Sequence, residues 1–201
     1  MKNEEKFIAL LKENQELMQI LDSVAQLQLK NWYLAAGCIF QTVWNIMDEK
    51  PAMTGVHDID LIYFDAEMSL EAAKNKDKLL EKNLSEKFPY LFDVHNEAFM
   101  HLWHGGSKVP YQDSENAIER WIATVHAVGI TGNSKEIKLF APYGLKDIFT
   151  KTIRPILQMD NHQALYEAKV AKWQARFNDL RVLDWQYCLK MQENQCERSS
   201  H

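Results

Sequence analysis

Apolar residues recur three and four positions apart from the start of the chain. Phe7, Leu10, Leu11, Leu17, Met18, Leu21, Val24 and Ala25 fall on one stripe, with Lys, Glu, Asn and Gln between them. That period belongs to a helix burying one face, so residues 1–30 read as an N-terminal packing helix. Beyond Trp32-Tyr33-Leu34-Ala35-Ala36, Gly37 breaks the pattern, and Cys38, Ile39, Val43 and Trp44 resume it until Pro51. The period then shortens. In His57-Asp58-Ile59-Asp60-Leu61-Ile62-Tyr63-Phe64 carboxylates alternate with apolar residues before the run becomes wholly apolar, which predicts a strand polar at its beginning and buried afterwards. Residues 69–88, closed by Pro89, predict a solvent-facing helix capped by Ser69. Residues 90–94 predict a second strand, with Asp93 between Phe92 and Val94.

Gly105-Gly106-Ser107 and Pro110 mark a loop, and Asp113 or Ser114 is placed to cap a helix reaching Thr124. Strand-like stretches 125–130 and 137–140 flank Thr131-Gly132-Asn133-Ser134 and predict a hairpin. A short helix over 142–150 and a long one over 161–180 follow, and the polar tail 190–201 is read as disordered. The resulting division is an N-terminal helix (1–30), a core (31–155), a C-terminal helical segment (156–189) and the tail.

Composition narrows the function classes. A chain of 201 residues, 46% hydrophobic, can bury one sizeable core. Its formal net charge of −5 argues against an extended nucleic-acid duplex as partner. Cys38, Cys188 and Cys196 are odd in number and lie in no metal-ligand spacing, which reads as free thiols in a reducing compartment and hence a cytoplasmic location. The charged N-terminus leads into an amphipathic segment, and no apolar stretch has the length of a membrane span.

The chemistry concentrates at Gly37, Asp58 and Asp60. Residues two apart on a strand point to one face, so both carboxylates can ligate one hard cation, Mg2+ or Mn2+. Gly37 allows close approach of backbone to phosphate, and a helix beginning there presents unpaired N–H groups to an anion. Asp93, on the next strand, is the candidate third carboxylate of a two-metal site. Taken singly, an Asp-x-Asp pair serves as readily for turn or cap chemistry; order and context make the combination informative. Lys146, Lys151 and Arg154 follow the Gly144 turn and can balance triphosphate charge, although a solvated helix face accounts for them equally well. His95, His101 and His104 fit no zinc spacing and are read as core or surface histidines. Trp32, Trp44, Trp103, Trp121 and Trp173 are read mainly as packing anchors, and Cys38 as a small structural residue.

Several segments together carry a resemblance. Trp32-Tyr33-Leu34-Ala35-Ala36-Gly37, Thr42-Val43-Trp44, residues 57–65, residues 93–103, residues 124–129, Ala141-Pro142-Tyr143-Gly144-Leu145-Lys146-Asp147 and Arg154-Pro155 resemble bacterial nucleotidyltransferase-like proteins of the polymerase-beta superfamily over roughly residues 30 to 155. The resemblance implies an α+β nucleotidyltransferase fold, a small mixed sheet packed with helices, with extra N- and C-terminal helices. It implies a metal-dependent transfer of a nucleoside monophosphate from a nucleoside triphosphate to an acceptor hydroxyl. Gly37 matches the phosphate-loop glycine, Asp58 and Asp60 the metal-binding pair, and Asp93 a frequent acidic position. Four departures stand out: His95, Glu97 and Phe99 replace residues that are usually Lys, Gln and Arg, and Cys38 replaces a serine after the glycine. A nucleotide-binding regulatory module of weakened activity and a toxin- or antitoxin-like interaction protein are the alternatives on the same fold. Homo-oligomer formation, the base and the acceptor are left open by the sequence.

Overall fold

Ile59, Leu61 and Tyr63 are fully buried, as is Val94, with Phe92 nearly so, and their alternation fixes which side of a five-stranded sheet meets the core. The strands are β1 (Tyr33–Ala35), β2 (Asp58–Tyr63), β3 (Leu91–Asn96), β4 (Gly129–Gly132) and β5 (Ile137–Phe140), in the order β3-β2-β1-β4-β5. β1 runs antiparallel to both β2 and β4, β4 antiparallel to β5, and β2 parallel to β3. A parallel pair needs a long crossover, which α4 (Leu70–Lys87) provides, with Ser69 Oγ accepting the Ala72 N–H as its cap. The computed structural model describes residues 2–102, 109–158 and 161–199, with side chains to residue 194. Trp103, His104, the Gly105-Gly106-Ser107 loop and the Cys196 side chain lie outside the described residues.

The single N-terminal helix expected from the apolar stripe is two helices, α1 (Asn3–Glu13) and α2 (Gln15–Ala25). Asn14 separates them for a physical reason. Its Oδ1 accepts the Leu17 N–H at 3.0 Å, capping α2, while its Nδ2 donates to Thr42 Oγ1 at 3.1 Å, so the buried amide is satisfied outside helical geometry. Both helices lie with α3 (Gly37–Met47) on the core side. Leu17 and Leu21 are fully buried there, whereas Leu10 is only partly so. Leu17→Ala and Leu21→Ala should each lower stability by about 2–5 kcal/mol in urea denaturation, with a smaller loss for Leu10→Ala. Wild-type midpoints for all three would remove α2 from the core.

The C-terminal third differs most from expectation. The helix after Asp113 is only α5 (Ser114–Glu119), and of the strand expected over 125–130 only Gly129 and Ile130 belong to β4; the segment before them forms bends and turns, with Ala123 bridged to Pro155. After α6 (Lys146–Phe149), β6 (Thr152–Ile153) pairs in parallel with β7 (Arg181–Val182). α7 (Gln163–Gln174) lies between them, and α8 (Trp185–Ser199) includes the polar segment for which disorder was expected. Edge-to-face rings pin α7 to α3: Phe40 against Trp173 at 5.5 Å and Trp44 against Phe177 at 5.1 Å. Trp44 Nε1 also donates to the Ile148 carbonyl at 2.8 Å. Trp32, Trp44 and Trp173 are therefore packing anchors, as read from the sequence, and Trp121 is half-buried. No helix among the described residues is long and apolar enough to cross a membrane.

Candidate active site

The second face of the sheet has two halves. Around β1, Tyr33, Ala35 and Ile62 are covered by Ile118, Ala127 and Ile156. Beside this lid, the same face of β2 carries Asp58 and Asp60, and the parallel register sets Asp60 against Asp93 and Ile62 against His95 on β3. All three predicted carboxylates thus share one face, by strand period and register alone. They differ in environment: Asp58 is exposed and the Asp93 side chain is about half exposed.

Burial pushes the Asp60 carboxyl up to about 7, helped by repulsion from Asp58 and Asp93, with Lys169 and His95 opposing. Asp93 moves the other way. His95 Nε2 donates to Asp93 Oδ1 at 2.8 Å, and that bond holds Asp93 below the usual carboxylate range. For His95, burial disfavours charge, but the Asp93 bond and the nearby Asp93, Glu97 and Asp77 charges outweigh it and raise its pKa. Behind this row, in a 3₁₀ turn at Glu97–Leu102, Glu97 is buried and pushed up to about 8 by burial, with Asp60, Asp93 and Asp77 adding to the effect.

The β1–α3 turn faces the same place, since Ala35 pairs with Asp60. The left-handed backbone lies at Ala36 (φ 56°, ψ −124°), one residue before the glycine, a conformation costing a non-glycine residue roughly 1–3 kcal/mol. It is held by the Ala36 N–H donating to the Val128 carbonyl at 2.9 Å. At Gly37 a Cβ would stand 2.7 Å from Nε2 at the end of the Gln41 side chain, so any other residue would require Gln41 to shift. Gln41 Oε1 in turn accepts from Arg176 Nη1 at 3.3 Å. Gly37 and Cys38 open an eleven-residue helix, whose first N–H groups have no partner within it.

The Cys38 thiol does not face this space. It is fully buried, donates to the Ala35 carbonyl at 3.2 Å, and its pKa is pushed well up by burial and by the Asp60 charge. Its burial agrees with the reading of Cys38 as a small structural residue, and leaves the backbone N–H as the group by which Cys38 can meet an anion. In native protein at pH 8, Cys38 should resist iodoacetamide and become reactive on denaturation; rapid native labelling at Cys38 would contradict its burial.

Lys146 and Arg154 stand apart from the carboxylates. Lys146 is exposed at the start of α6. Arg154 donates through Nε to Asp147 Oδ2 at 2.9 Å, beside Thr124 Oγ1 on the same oxygen. The cation acting on both Asp60 and Asp93 is Lys169 of α7, which sequence reasoning missed. It lies four residues before the buried anchor Trp173, on the same helix face, and that spacing is its trace in the sequence. His126, ringed by Trp121, Trp173 and Phe40, is held neutral by burial and by Lys169.

A family model described as nucleotidyltransferase matches residues 22–182. No curated protein matches the sequence. Among solved structures, an NMR structure described as revealing a CCA-adding enzyme head domain is 31% identical. The match covers 92% of this chain and 97% of that one, with a TM-score of 0.77. A chain of a tRNA-processing enzyme complex is 15% identical over 83% of this chain and 43% of its own, with a TM-score of 0.43, too low to bear on the fold. With the mixed sheet and its helices matching that head domain, the chain belongs to the nucleotidyltransferase family, with a polymerase-beta superfamily fold.

Proposed function

We propose that the protein transfers a nucleoside monophosphate from a nucleoside triphosphate to an acceptor hydroxyl, in the reducing environment of the cytoplasm. The observation carrying this reading is the single face that bears Asp58, Asp60 and, in register, Asp93, opposite the N-terminus of α3. The N–H groups of Gly37 and Cys38 and the helix dipole would receive phosphate oxygens, and Lys169 would offset their charge. The acceptor oxygen attacks the α-phosphorus, forming an O–P bond, and the bond from that phosphorus to the bridging oxygen of the β-phosphate breaks. Pyrophosphate leaves. The acceptor proton passes to Asp93 Oδ2, the oxygen not bonded by His95 Nε2, and on to solvent.

The donor set fits a hard divalent cation. Asp58 and Asp60, with Asp93 as third carboxylate, offer only oxygen ligands, and the burial and the repulsion from Asp58 and Asp93 that together drive Asp60 toward neutrality are what a bound cation would offset. Among the described residues no three His, Cys, Asp or Glu side chains form a ready cation cage, so phosphate and water oxygens would complete the coordination. Bound Mg2+ or Mn2+ would supply charge neutralisation for the triphosphate and acidify the acceptor hydroxyl.

Pyrophosphate release with each of the four ribonucleoside triphosphates, across sugar, antibiotic, RNA and protein acceptors, tests the reading. Release that requires magnesium is expected with at least one pair. A second reading, a nucleotide-binding regulatory module, is favoured by His95, which already engages the third carboxylate. It predicts magnesium-dependent binding with no release under any pairing. Absence of both binding and release would remove both.

A further inference from the structure

The Asp93 edge of the sheet opens into a cavity of about 340 Å³ between α4, β3 and the 3₁₀ turn. We propose that this cavity is the acceptor site and takes a small anion with an apolar body and a hydroxyl group. The inference rests on the nucleotidyl-transfer reading above and names its second substrate by class. Asp93 and His95 line one end, so a molecule lying in the cavity meets the carboxylate assigned to receive the acceptor proton. Leu70 and Ala73 of α4, with Phe99 and Met100 of the turn, supply the apolar walls. The volume lies in the range of small-molecule sites.

The charges on the walls decide the class. Asp77 accepts the Tyr63 hydroxyl at 2.8 Å and Glu81 accepts the Val94 N–H at 3.3 Å; these neutral donors leave both carboxylates charged but hold them toward the sheet. Lys74 and Lys78 stand one helical turn apart, on the same face of α4, and neither has an ion-pair partner among the described residues. They give the lining two exposed lysines without an ion pair beside apolar residues, and lysines free to turn toward a ligand can hold a carboxylate or phosphate on an otherwise apolar molecule. Phe99, one of the departures from the family pattern, then has a role as the flat surface beneath that body. A polynucleotide end is the less suited occupant, because two lysines on a chain of net charge −5 offer little to a run of phosphates.

The test uses the full chain, isotope-labelled, without metal or nucleotide. Amide resonances are followed on titration with 4-(hydroxymethyl)benzoate, 4-(hydroxymethyl)phenyl phosphate, neutral 1,4-benzenedimethanol and a short oligoribonucleotide. At least one of the two anions should shift resonances at Asp93, Phe99 and Met100, and the preferred arm tells carboxylate from phosphate. The neutral diol should bind about tenfold more weakly, and the exposed double variant Lys74→Ala/Lys78→Ala should lose the anion preference by about the same factor. Equal affinity for the neutral diol, tighter Lys74- and Lys78-dependent binding of the oligoribonucleotide, or shifts confined to other regions would overturn the assignment. Loss of anion binding at this cavity with magnesium-dependent nucleotide binding intact overturns the cavity assignment alone. Anion binding without any such nucleotide binding overturns the transfer reading and the acceptor role with it.

Discussion

Asp60→Asn should make the metal-free protein more stable at neutral pH and, in the same molecule, abolish magnesium-dependent nucleotide binding. The stability half follows from proton linkage. The folded-state carboxyl is raised to about 7 by burial and by Asp58 and Asp93, against about 3.9 in an unfolded chain. Between these values the folded state binds the extra proton, so this group's stabilising share is present at low pH and is lost as pH rises toward 7. The gap corresponds to a penalty on the order of 4 kcal/mol once both states are ionised. Asn keeps the shape and removes the charge. In EDTA at pH 7.5 the variant should melt several degrees above wild type, and at pH 5 the difference should largely close. Magnesium should raise the wild-type melting temperature and leave the variant's unchanged. Calorimetry with a non-hydrolysable triphosphate should find binding in wild type with magnesium and none in the variant. A variant that melts lower than wild type at pH 7.5 in EDTA, or that binds nucleotide as tightly, would sink the assignment of Asp60.

The carboxylate face was legible in the sequence because its signals are local. Period-two alternation at Asp58-Ile59-Asp60 identifies the strand and its polar side at once, and Asp93 between Phe92 and Val94 repeats the pattern. What escaped reading depends on contacts distant in the chain. Asn14 looks like one more polar position in an amphipathic helix until Thr42 and Met53 are seen to take up its amide hydrogens. The two-residue strands β6 and β7 are too short to show a period and are defined by each other. Lys169 comes near enough for its charge to act on Asp60 and Asp93 because Trp173 and Phe177 pack the end of α7 against α3, a consequence of tertiary packing with no local pattern beyond the helix itself.

The replacements at His95, Glu97 and Phe99 were legible as departures but not as parts. The fold gives each a place: His95 bonds Asp93, Glu97 is buried close enough to feel the charges of Asp60 and Asp93, and Phe99 lines the adjoining cavity. Glu97 puts a carboxyl group where the family pattern has a neutral amide. Burial holds that group largely neutral near pH 7, so Asp58, Asp60 and Asp93 remain the charges that a cation would offset for an anion arriving at this face.

Asp93→Asn should separate catalysis from binding. Asp93 sits on the neighbouring strand from the Asp58–Asp60 pair, about half exposed, and is kept ionised by the His95 bond. Nucleotide binding, carried by the β2 pair and the start of α3, should therefore change by no more than about threefold, while turnover should fall by about 10²- to 10⁴-fold, the usual contribution of a positioned base. Asn retains an oxygen able to accept from His95, so the fold should hold and the melting temperature should stay close to wild type. Single-turnover pyrophosphate release measures the chemistry, and calorimetry of the non-hydrolysable triphosphate measures the binding. If both fall together, Asp93 belongs to the nucleotide site rather than to the acceptor side of the reaction. If release is unchanged, Asp93 has no part in proton transfer, and the cavity beside it loses its claim to the acceptor.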